Sequence, residues 1–397
     1  MRPLSYRHTL AACYLGYVSQ AVVNNLAPLL FLTFQRQFHV SLGSLALLIT
    51  LNFGIQLAVD LAAVRFIDTI GYRAAALSAH IFCTVGLVSM GLLPFIMPNP
   101  YGGLVIGIVI NALGGGLIEV IISPIVEALP GNRKAAAMSL LHSFYCWGYV
   151  AVVGLSSLYF TLAGIDKWRY LPMLWAALPL GNILLFARVP LKTLIDESLS
   201  PAPLRFLFRK KFFLILFLMM ICAGASEQAM SQWASLFAEA GLRVSKLQGD
   251  IFGPCAFAIL MGLSRIFFGL QREAIKLERT LMVSGAVCLA SYLITVFSPY
   301  PLLSLGGCAL CGLSVGVMWP GTFSLASRFF PLGGTAMFAV LALAGDLGCA
   351  AGPGLVGIIM QNTSLSTGLL AAIVFPGLLL LAIGVILVRP AELRRTP

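Results

Sequence analysis

Residues 101–129 read YGGLVIGIVINALGGGLIEVIISPIVEAL, an apolar run whose only charged side chains are Glu119 and Glu127. A helix needs about 20 apolar residues to cross the ~30 Å hydrocarbon core of a bilayer. The run is therefore predicted to be a membrane-spanning helix. It decides the fold because similar runs fill most of the chain.

The bulk composition is typical of a protein that lives in a membrane. Of the 397 residues, 59% are hydrophobic and 10% are charged, and the mean hydropathy is +0.96. Apolar runs of helical length predict an all-α integral membrane fold with twelve membrane-spanning helices. We place these spans near residues 9–34, 42–67, 73–97, 101–129, 135–163, 170–187, 212–238, 247–270, 280–297, 301–327, 334–361 and 365–388.

The net charge of +11 is distributed unevenly over the predicted loops. With both termini in the cytoplasm, most basic residues lie in cytoplasmic segments. This asymmetry follows the positive-inside rule and sets the orientation. We expect a multi-pass protein of a bacterial plasma membrane that contacts lipid head groups, and we do not expect nucleic acid as a partner. The basic residues of the outer loops are Arg36, Lys167, Arg169, Arg243 and Lys246.

A polar segment near the middle of the chain divides the spans into two sets of six. The segment 190–211 contains three prolines and a basic cluster. The halves also resemble each other, since PGNRKAAAM at 130–138 follows the fourth span and PLGGTAM at 331–337 follows the tenth. We predict two pseudo-symmetric six-helix bundles, 1–189 and 212–397, joined by a cytoplasmic linker. Parallel repeats are typical of alternating-access transporters with a site at the half interface.

The sequence shows no signature of a metal site, a cofactor or a catalytic centre. All nine cysteines fall inside predicted spans, so a disulfide framework is not expected. Cys308 and Cys311 form a CxxC in an apolar helix without a second pair, and we interpret them as small residues that ease helix contact. We expect no enzymatic activity, and energy supplied by an ion gradient or by the solute gradient.

Two ionisable residues interrupt the fourth and fifth spans at similar depths. Glu119 lies roughly 15 Å and His142 roughly 12 Å from the cytoplasmic ends of their helices. Charge at such depth is costly, so both residues should face protein or water. The pair can share a proton and is predicted to carry proton coupling. Helix-packing hydrogen bonds are the alternative role for each residue.

The second half carries acids of its own. Glu227 lies in the seventh span within ASEQ (225–228), and Asp346 lies in the eleventh within GDLG (345–348). We expect both to line a cavity, with structural pairing as the alternative. Aromatic faces next to amides suit a sugar ring or an organic cation. The predicted cavity residues are Asn24, Asn25, Tyr145, Trp147, Glu227, Gln228, Gln232, Trp233, Trp319 and Asp346.

Other charged residues near the span ends are predicted to form gate contacts or salt bridges. Asp60 is a partner for Arg65 in the second span, and Glu127 is a partner for the basic residues after the fourth span. Arg265 in the eighth span is expected to pair with a carboxylate across the half interface. Recognition of an anionic solute is the alternative role of Arg265.

The loop between the second and third spans reads DTIGYR, residues 68–73. It resembles the Asp-Arg-x-Gly-Arg loop of the major facilitator superfamily. Asp68, Gly71 and a basic residue match, while Thr69 replaces the first arginine. Together with twelve spans and a central linker, the resemblance covers the whole chain. It implies the major facilitator fold, with Asp68 and Arg73 at a gate.

The first and fourth spans also resemble the fucose permease group of sugar–proton symporters. The first span carries the paired Asn24 and Asn25, and Glu119 follows small residues in the fourth. The resemblance implies that Glu119 is the proton-linked acid. The first helix of that group has an aspartate shortly after the asparagines, and here that position is Ala27 or Pro28.

These features favour a monomeric, proton-coupled secondary transporter that moves a small polar, sugar-like solute. Efflux of organic cations or drugs by proton antiport is the alternative, because several acids would then share one cavity. A non-transporting receptor on the same fold and an intramembrane enzyme are the remaining alternatives.

Overall fold

The computed structural model describes residues 4–130, 134–191, 207–270, 276–330 and 334–388, and within them all side chains except those of 63–66, 68–69, 134–139 and 334–336. Helices account for almost all of these residues, and no strand occurs among them. In chain order the α-helices are α1 (Tyr6–Asn25), α2 (Phe31–Phe38), α3 (Leu42–Ile96), α4 (Pro100–Ala128), α5 (Lys134–Ala163), α6 (Tyr170–Phe186), α7 (Lys211–Leu236), α8 (Lys246–Asp250), α9 (Ala256–Leu270), α10 (Leu277–Phe297), α11 (Pro301–Phe329), α12 (Gly334–Asn362), α13 (Leu365–Ala371) and α14 (Val374–Val388).

The helices account for all twelve predicted spans. Within the described ranges, eleven helical segments are long and apolar enough to cross a membrane, and α6 is a shorter apolar helix. Its 17 residues rise about 26 Å at 1.5 Å per residue, slightly less than the hydrocarbon core. The predicted all-α, twelve-helix architecture is confirmed.

Two breaks in the helices have local causes. α1 ends at Asn25, and a 3₁₀ helix at Ala27–Leu30 leads into α2. Pro28 lacks a backbone N–H and cannot continue the α-helical ladder. α3 contains both the second and the third predicted span, which are parted at Gly71 with φ 79° and ψ 152°. Glycine tolerates a positive φ because it has no Cβ, so the predicted loop is reduced to a kink.

The chain divides into two compact units. The first comprises Met1–Ile195 with Ser245–Ile251, and the second comprises Asp196–Val244 with Phe252–Pro397. Much of the predicted linker lies outside the described residues. The bundle limits 1–189 and 212–397 therefore stay a prediction.

Close approach of α3 and α4 shapes the first unit. A Cβ added at Gly107 would lie 2.8 Å from the backbone nitrogen of Met90, and one at Gly114 would lie 2.6 Å from the carbonyl oxygen of Ala79. Small residues at such contacts let helix backbones pack tightly in a membrane. The tight contact positions the next turn of α4, which carries Glu119.

A buried histidine joins three helices of the same unit. His80 Nδ1 in α3 donates to the carbonyl oxygen of Ala76 at 2.8 Å, and Nε2 accepts from Asn182 Nδ2 in α6 at 2.8 Å. The Asn182 amide also donates to the carbonyl oxygen of Ala12 in α1 at 3.0 Å. A neutral imidazole satisfies both ring nitrogens in this arrangement. His80 therefore fastens α3 to α6 and, through Asn182, to α1.

The second unit is built around an equally close contact of α7 with α12. A Cβ added at Gly224 would collide with the carbonyl oxygen of Gly345, and one at Gly352 would lie 2.7 Å from the Cα of Ala225. This contact places the turn that carries Glu227 near the middle of α12.

The nine cysteines are all free and buried. Cys288 in α10 and Cys311 in α11 approach each other, with 3.9 Å between their sulfur atoms. This is a packing contact, because a disulfide bond measures about 2.05 Å.

Candidate functional site

Glu119 lies well inside α4 and binds a side chain of α1. Gln20 Nε2 donates to Glu119 Oε2 at 2.7 Å. Gln20 is buried and Glu119 is partly exposed. The hydrogen bond holds the carboxyl group in a defined orientation at a depth where an acid is rare.

Tyr17, one turn before Gln20, connects α1 with α4 and α5. Its hydroxyl lies 3.1 Å from Ser123 Oγ, one turn beyond Glu119. Its ring meets the ring of His142 edge-on, with centroids 5.4 Å apart. Glu119 and His142 therefore both contact α1. Gln20 bonds Glu119, and the Tyr17 ring contacts the ring of His142.

Asn24 is the centre of an amide cluster at the end of α1. Its Oδ1 accepts from Gln56 Nε2 at 2.8 Å and from Asn52 Nδ2 at 3.1 Å, both on α3. The Tyr145 hydroxyl of α5 lies 3.4 Å from the amide nitrogens of both Asn24 and Asn25. The cluster ties α1, α3 and α5 together beside the break at Ala27–Leu30.

Asn25 also bonds within its own helix, and its predicted place in a cavity stays a prediction. Its Nδ2 donates to the carbonyl oxygen of Ala21, one turn earlier on α1, at 2.9 Å. The same nitrogen also contacts the Tyr145 hydroxyl, so the Asn25 amide is only partly occupied within its own helix.

Sequence reasoning missed three amides of this region, Gln20, Asn52 and Gln56. The signal was present in the spacing. Gln20 and Asn24 are four residues apart, as are Asn52 and Gln56, so each pair lies on one helix face. Buried amides need hydrogen-bond partners, and two such pairs in neighbouring apolar spans predict a shared network.

In the second unit, Glu227 forms an ion pair with Arg265. Arg265 Nη2 lies 3.3 Å from Glu227 Oε2, and the side chains are 19% and 8% exposed. The predicted pairing of Arg265 with a carboxylate across the half interface stays a prediction. The observed partner belongs to the same unit, because α7 and α9 bring the two side chains together there.

Polar residues that follow Glu227 on α7 extend this pair into a network. Gln228 Nε2 lies 3.4 Å from Glu227 Oε1. Gln228 Oε1 accepts from Ser231 Oγ and from Gln232 Nε2, each at 3.1 Å. The predicted cavity residues Glu227, Gln228 and Gln232 are therefore one hydrogen-bonded group.

The predicted tryptophans occupy different environments. Trp233 is fully buried and donates to a backbone carbonyl of α12 at 3.1 Å, so its indole packs between helices instead of lining an open surface. Trp319 is partly exposed, and its ring lies against Gly345, next to the buried Asp346. Trp147 on α5 is 40% exposed.

The family model of the Major Facilitator Superfamily matches residues 13–353. The chain belongs to the Major Facilitator Superfamily. The members are carriers and not enzymes, so the chain is a multi-pass membrane transporter. No curated protein matches it significantly.

Solved structures of superfamily members share the fold at low sequence identity. The E. coli fucose:proton symporter is 17% identical, with a TM-score of 0.66 over 96% of this chain and 98% of that one. A bacterial homologue of the lysosomal transporter Spinster is 13% identical, with a TM-score of 0.76 over 99% of both chains. A D-xylose–proton symporter is 12% identical, with a TM-score of 0.76 over 96% of this chain and 97% of that one.

The superfamily loop at 68–73 ends at Arg73, which caps a helix. Arg73 Nη1 donates to the carbonyl oxygen of Phe186 at 2.6 Å, and Nη2 donates to that of Val189 at 2.8 Å. Phe186 is the last residue of α6 and Val189 follows it by three residues, so Arg73 lies at the carboxyl end of this helix, where a cation is favourable. Arg73 was predicted as a gate or salt-bridge residue, and the structure shows it fastening α3 to α6.

The remaining predicted gate residues are placed only in part. Asp60 is partly buried on α3, one turn after Gln56, and Glu127 is exposed near the end of α4. The side chains of Arg65 and Asp68 lie outside the described residues, as do those of the basic residues that follow α4. Their pairings therefore stay predictions.

Proposed function

We propose that this superfamily member is a proton-coupled secondary transporter that moves a small polar, sugar-like solute by alternating access. The observation that carries the proposal is the hydrogen bond between Gln20 and Glu119, because it holds an ionisable group inside a membrane-spanning helix. The fucose and xylose proton symporters share its fold, which adds support. We further propose a monomer in a bacterial plasma membrane, with both termini cytoplasmic.

The Gln20 amide can accompany Glu119 through a protonation cycle. A charged carboxylate at this depth costs about 3 kcal/mol on insertion scales, and binding a proton removes the charge. The charged form accepts a hydrogen bond from Gln20 Nε2. The protonated form is a donor, and Gln20 Oε1 is a buried acceptor to which no described group donates. One amide therefore serves both states after rotation.

His142 and the second-unit polar group are proposed as supporting parts. His142 reaches the same helix as Glu119 through Tyr17, which favours a role in delivering or releasing the proton. In the second unit, Gln228, Gln232, Trp319 and Asp346 are proposed to contact the solute.

Uptake into liposomes tests the coupling. The purified full chain is reconstituted, and accumulation of radiolabelled L-fucose and D-xylose is followed with and without an imposed pH gradient. We expect the gradient to drive accumulation of at least one solute. Glu119→Gln should abolish that accumulation while keeping solute exchange at equal pH, because the amide fits the site but cannot release a proton.

Asp166→Asn is the control, since it removes an exposed acid of the same unit that lies between two predicted spans. It should leave gradient-driven uptake unchanged. Accumulation by Glu119→Gln equal to that of the parent chain would contradict the proposed coupling.

Efflux of organic cations is the second candidate, favoured by the buried acids Glu227 and Asp346. Arg265 offsets the charge of Glu227 at 3.3 Å, which weakens this candidate. Proton-driven extrusion of ethidium from vesicles distinguishes the two functions. Extrusion that is lost in Asp346→Asn and retained in Glu119→Gln would favour cation antiport.

A further inference from the structure

Asn52 and Gln56 on α3 leave two buried oxygen atoms uncommitted. Both side chains donate through their amide nitrogens to Asn24 Oδ1. Their side-chain oxygens take no part in these bonds. No group in the described part of the chain donates to Asn52 Oδ1 or to Gln56 Oε1. The residues are only 5% and 2% exposed. Folded proteins rarely leave such buried acceptors without a donor, because their desolvation is then uncompensated.

The Gln56 oxygen faces the small-residue stretch of α4. A Cβ added at Gly115 would lie 3.2 Å from Gln56 Oε1 and 3.0 Å from Val23 Cγ1. Since Gly115 has no side chain, the α4 residue beside this oxygen offers it no side-chain donor. Gly115 lies one turn before Glu119 on α4, so the Gln56 oxygen of α3 packs one helical turn away from the residue proposed to carry the proton.

The two amide oxygens select for hydrogen-bond donors and against anions. Carbonyl oxygens accept hydrogen bonds and offer nothing to a carboxylate or phosphate. The two amides carry no net charge, so an ion pair with an organic cation would have to come from the neighbouring Glu119 and not from Asn52 or Gln56. A hydroxyl hydrogen satisfies each oxygen, and the hydroxyl of Tyr145, which contacts Asn24, lies at the edge of the same cluster.

We infer that Asn52 and Gln56 are specificity-determining residues that accept hydrogen bonds from hydroxyl groups of a neutral polyhydroxylated solute. The inference rests on the proposed function and deepens it by naming residues that neither the sequence pattern nor the family loop singled out. A site built to bond a hydroxyl rejects an analogue that lacks it, because the buried acceptor is then left unpaired.

Ligand-induced thermal stabilisation of the full chain in detergent provides the test. The neutral probes are L-fucose, D-xylose and xylitol. Sodium gluconate tests an anion and tetraethylammonium tests an organic cation. Comparing sodium chloride with choline chloride tests the effect of the sodium ion alone. A ligand that binds the folded protein raises its melting temperature. We expect stabilisation by at least one neutral polyol and none by gluconate or tetraethylammonium.

Gln56→Leu and Asn52→Leu should each weaken binding of that polyol by about tenfold, the loss expected for one hydrogen bond. The monodeoxy analogue that lacks the recognised hydroxyl should bind the parent chain about tenfold more weakly and should lose nothing further in the variant. Asn111→Leu is the matched control, because Asn111 is a buried amide on α4 whose oxygen has no described donor and whose backbone packs against Gly86. It should bind the polyol as the parent chain does.

Unchanged polyol affinity in both leucine variants would overturn the inference, and so would stabilisation by gluconate or by sodium ion alone. Should one leucine variant fail to fold, the other together with the deoxy analogue still decides. The outcome is separable from proton coupling. Polyol binding that depends on Gln56, without any pH-driven uptake, would support the inference and contradict the coupling.

Discussion

Burial decides what an ion pair contributes, and this chain contains two pairs that differ in little else. Arg265 and Glu227 are 3.3 Å apart with side chains 19% and 8% exposed, while Arg328 and Glu278 are 3.3 Å apart with side chains 57% and 18% exposed. The attraction between the two charges grows as their surroundings become less polar. The free-energy cost of leaving one charge buried without its partner grows as well.

Removing the arginine from each pair should therefore have unequal effects. Arg265→Met leaves Glu227 buried without its cation and should lower the free energy of unfolding by about 3 kcal/mol. Arg328→Met should lower it by less than about 1 kcal/mol. Thermal unfolding of the purified variants measures the difference. Glu227→Gln combined with Arg265→Met should recover part of the loss, and equal losses in the two arginine variants would contradict the argument.

For Glu119 and Arg265, the sequence predicted an unusual charge but could not identify its partner. The depth of Glu119 in its span identified it as an unusual acid, because depth follows directly from helical rise. Its partner Gln20 could not be chosen, since several amides and hydroxyls reach a similar depth. Arg265 illustrates the same limit, because its charge predicted a carboxylate partner but could not single out Glu227.

Small residues control how closely the helices of each half approach. In the second unit, Gly352 of α12 lies against Ala225 of α7, and an added Cβ would be 2.7 Å from its Cα. At Gly384 in α14, an added Cβ would have no neighbour within 4 Å. The same residue type therefore serves packing at one position and is merely tolerated at the other.

Alanine substitution should separate these roles. Gly352→Ala should lower the free energy of unfolding by about 1–3 kcal/mol, because α7 and α12 must move apart. Gly384→Ala should be neutral or stabilising by up to about 1 kcal/mol, because alanine favours the helix. Melting temperatures in one detergent check both values. A Gly352→Ala chain as stable as the parent would show that the contact relaxes freely.

The existence of the helices was easier to predict than their breaks and contacts. Apolar runs of bilayer length predict helices directly, which explains why the spans agree with the observed segments. The 3₁₀ turn at Ala27–Leu30 had a visible cause in Pro28. The kink at Gly71 was hidden inside a presumed loop, and the His80–Asn182 contact between α3 and α6 had no signal in hydropathy at all.

The charge asymmetry of the loops predicts the orientation of the whole molecule, since basic residues resist transfer across the membrane. The superfamily assignment depended on the same large-scale features of span number, central linker and loop motif. Few individual residues match a particular group of solute transporters. Family membership could therefore be predicted, while the solute could not.

Reporter fusions test the predicted orientation. Alkaline phosphatase fused to the carboxyl terminus should be inactive and green fluorescent protein at the same point fluorescent, because the first works only outside the cytoplasm and the second only inside. Phosphatase inserted after Asn99, in the predicted outer loop between the third and fourth spans, is the control and should be active. The reverse pattern would contradict the orientation.

Because its nine cysteines are buried, the natural chain is suited to labelling at cysteines introduced elsewhere. Thiols packed in apolar surroundings are inert toward polar reagents, and every cysteine here is of that kind. A cysteine introduced at an exposed position such as Lys167 should therefore take up a charged maleimide or spin label alone. Distances between labelled pairs can then be followed during transport without first replacing nine residues that the helices use for packing.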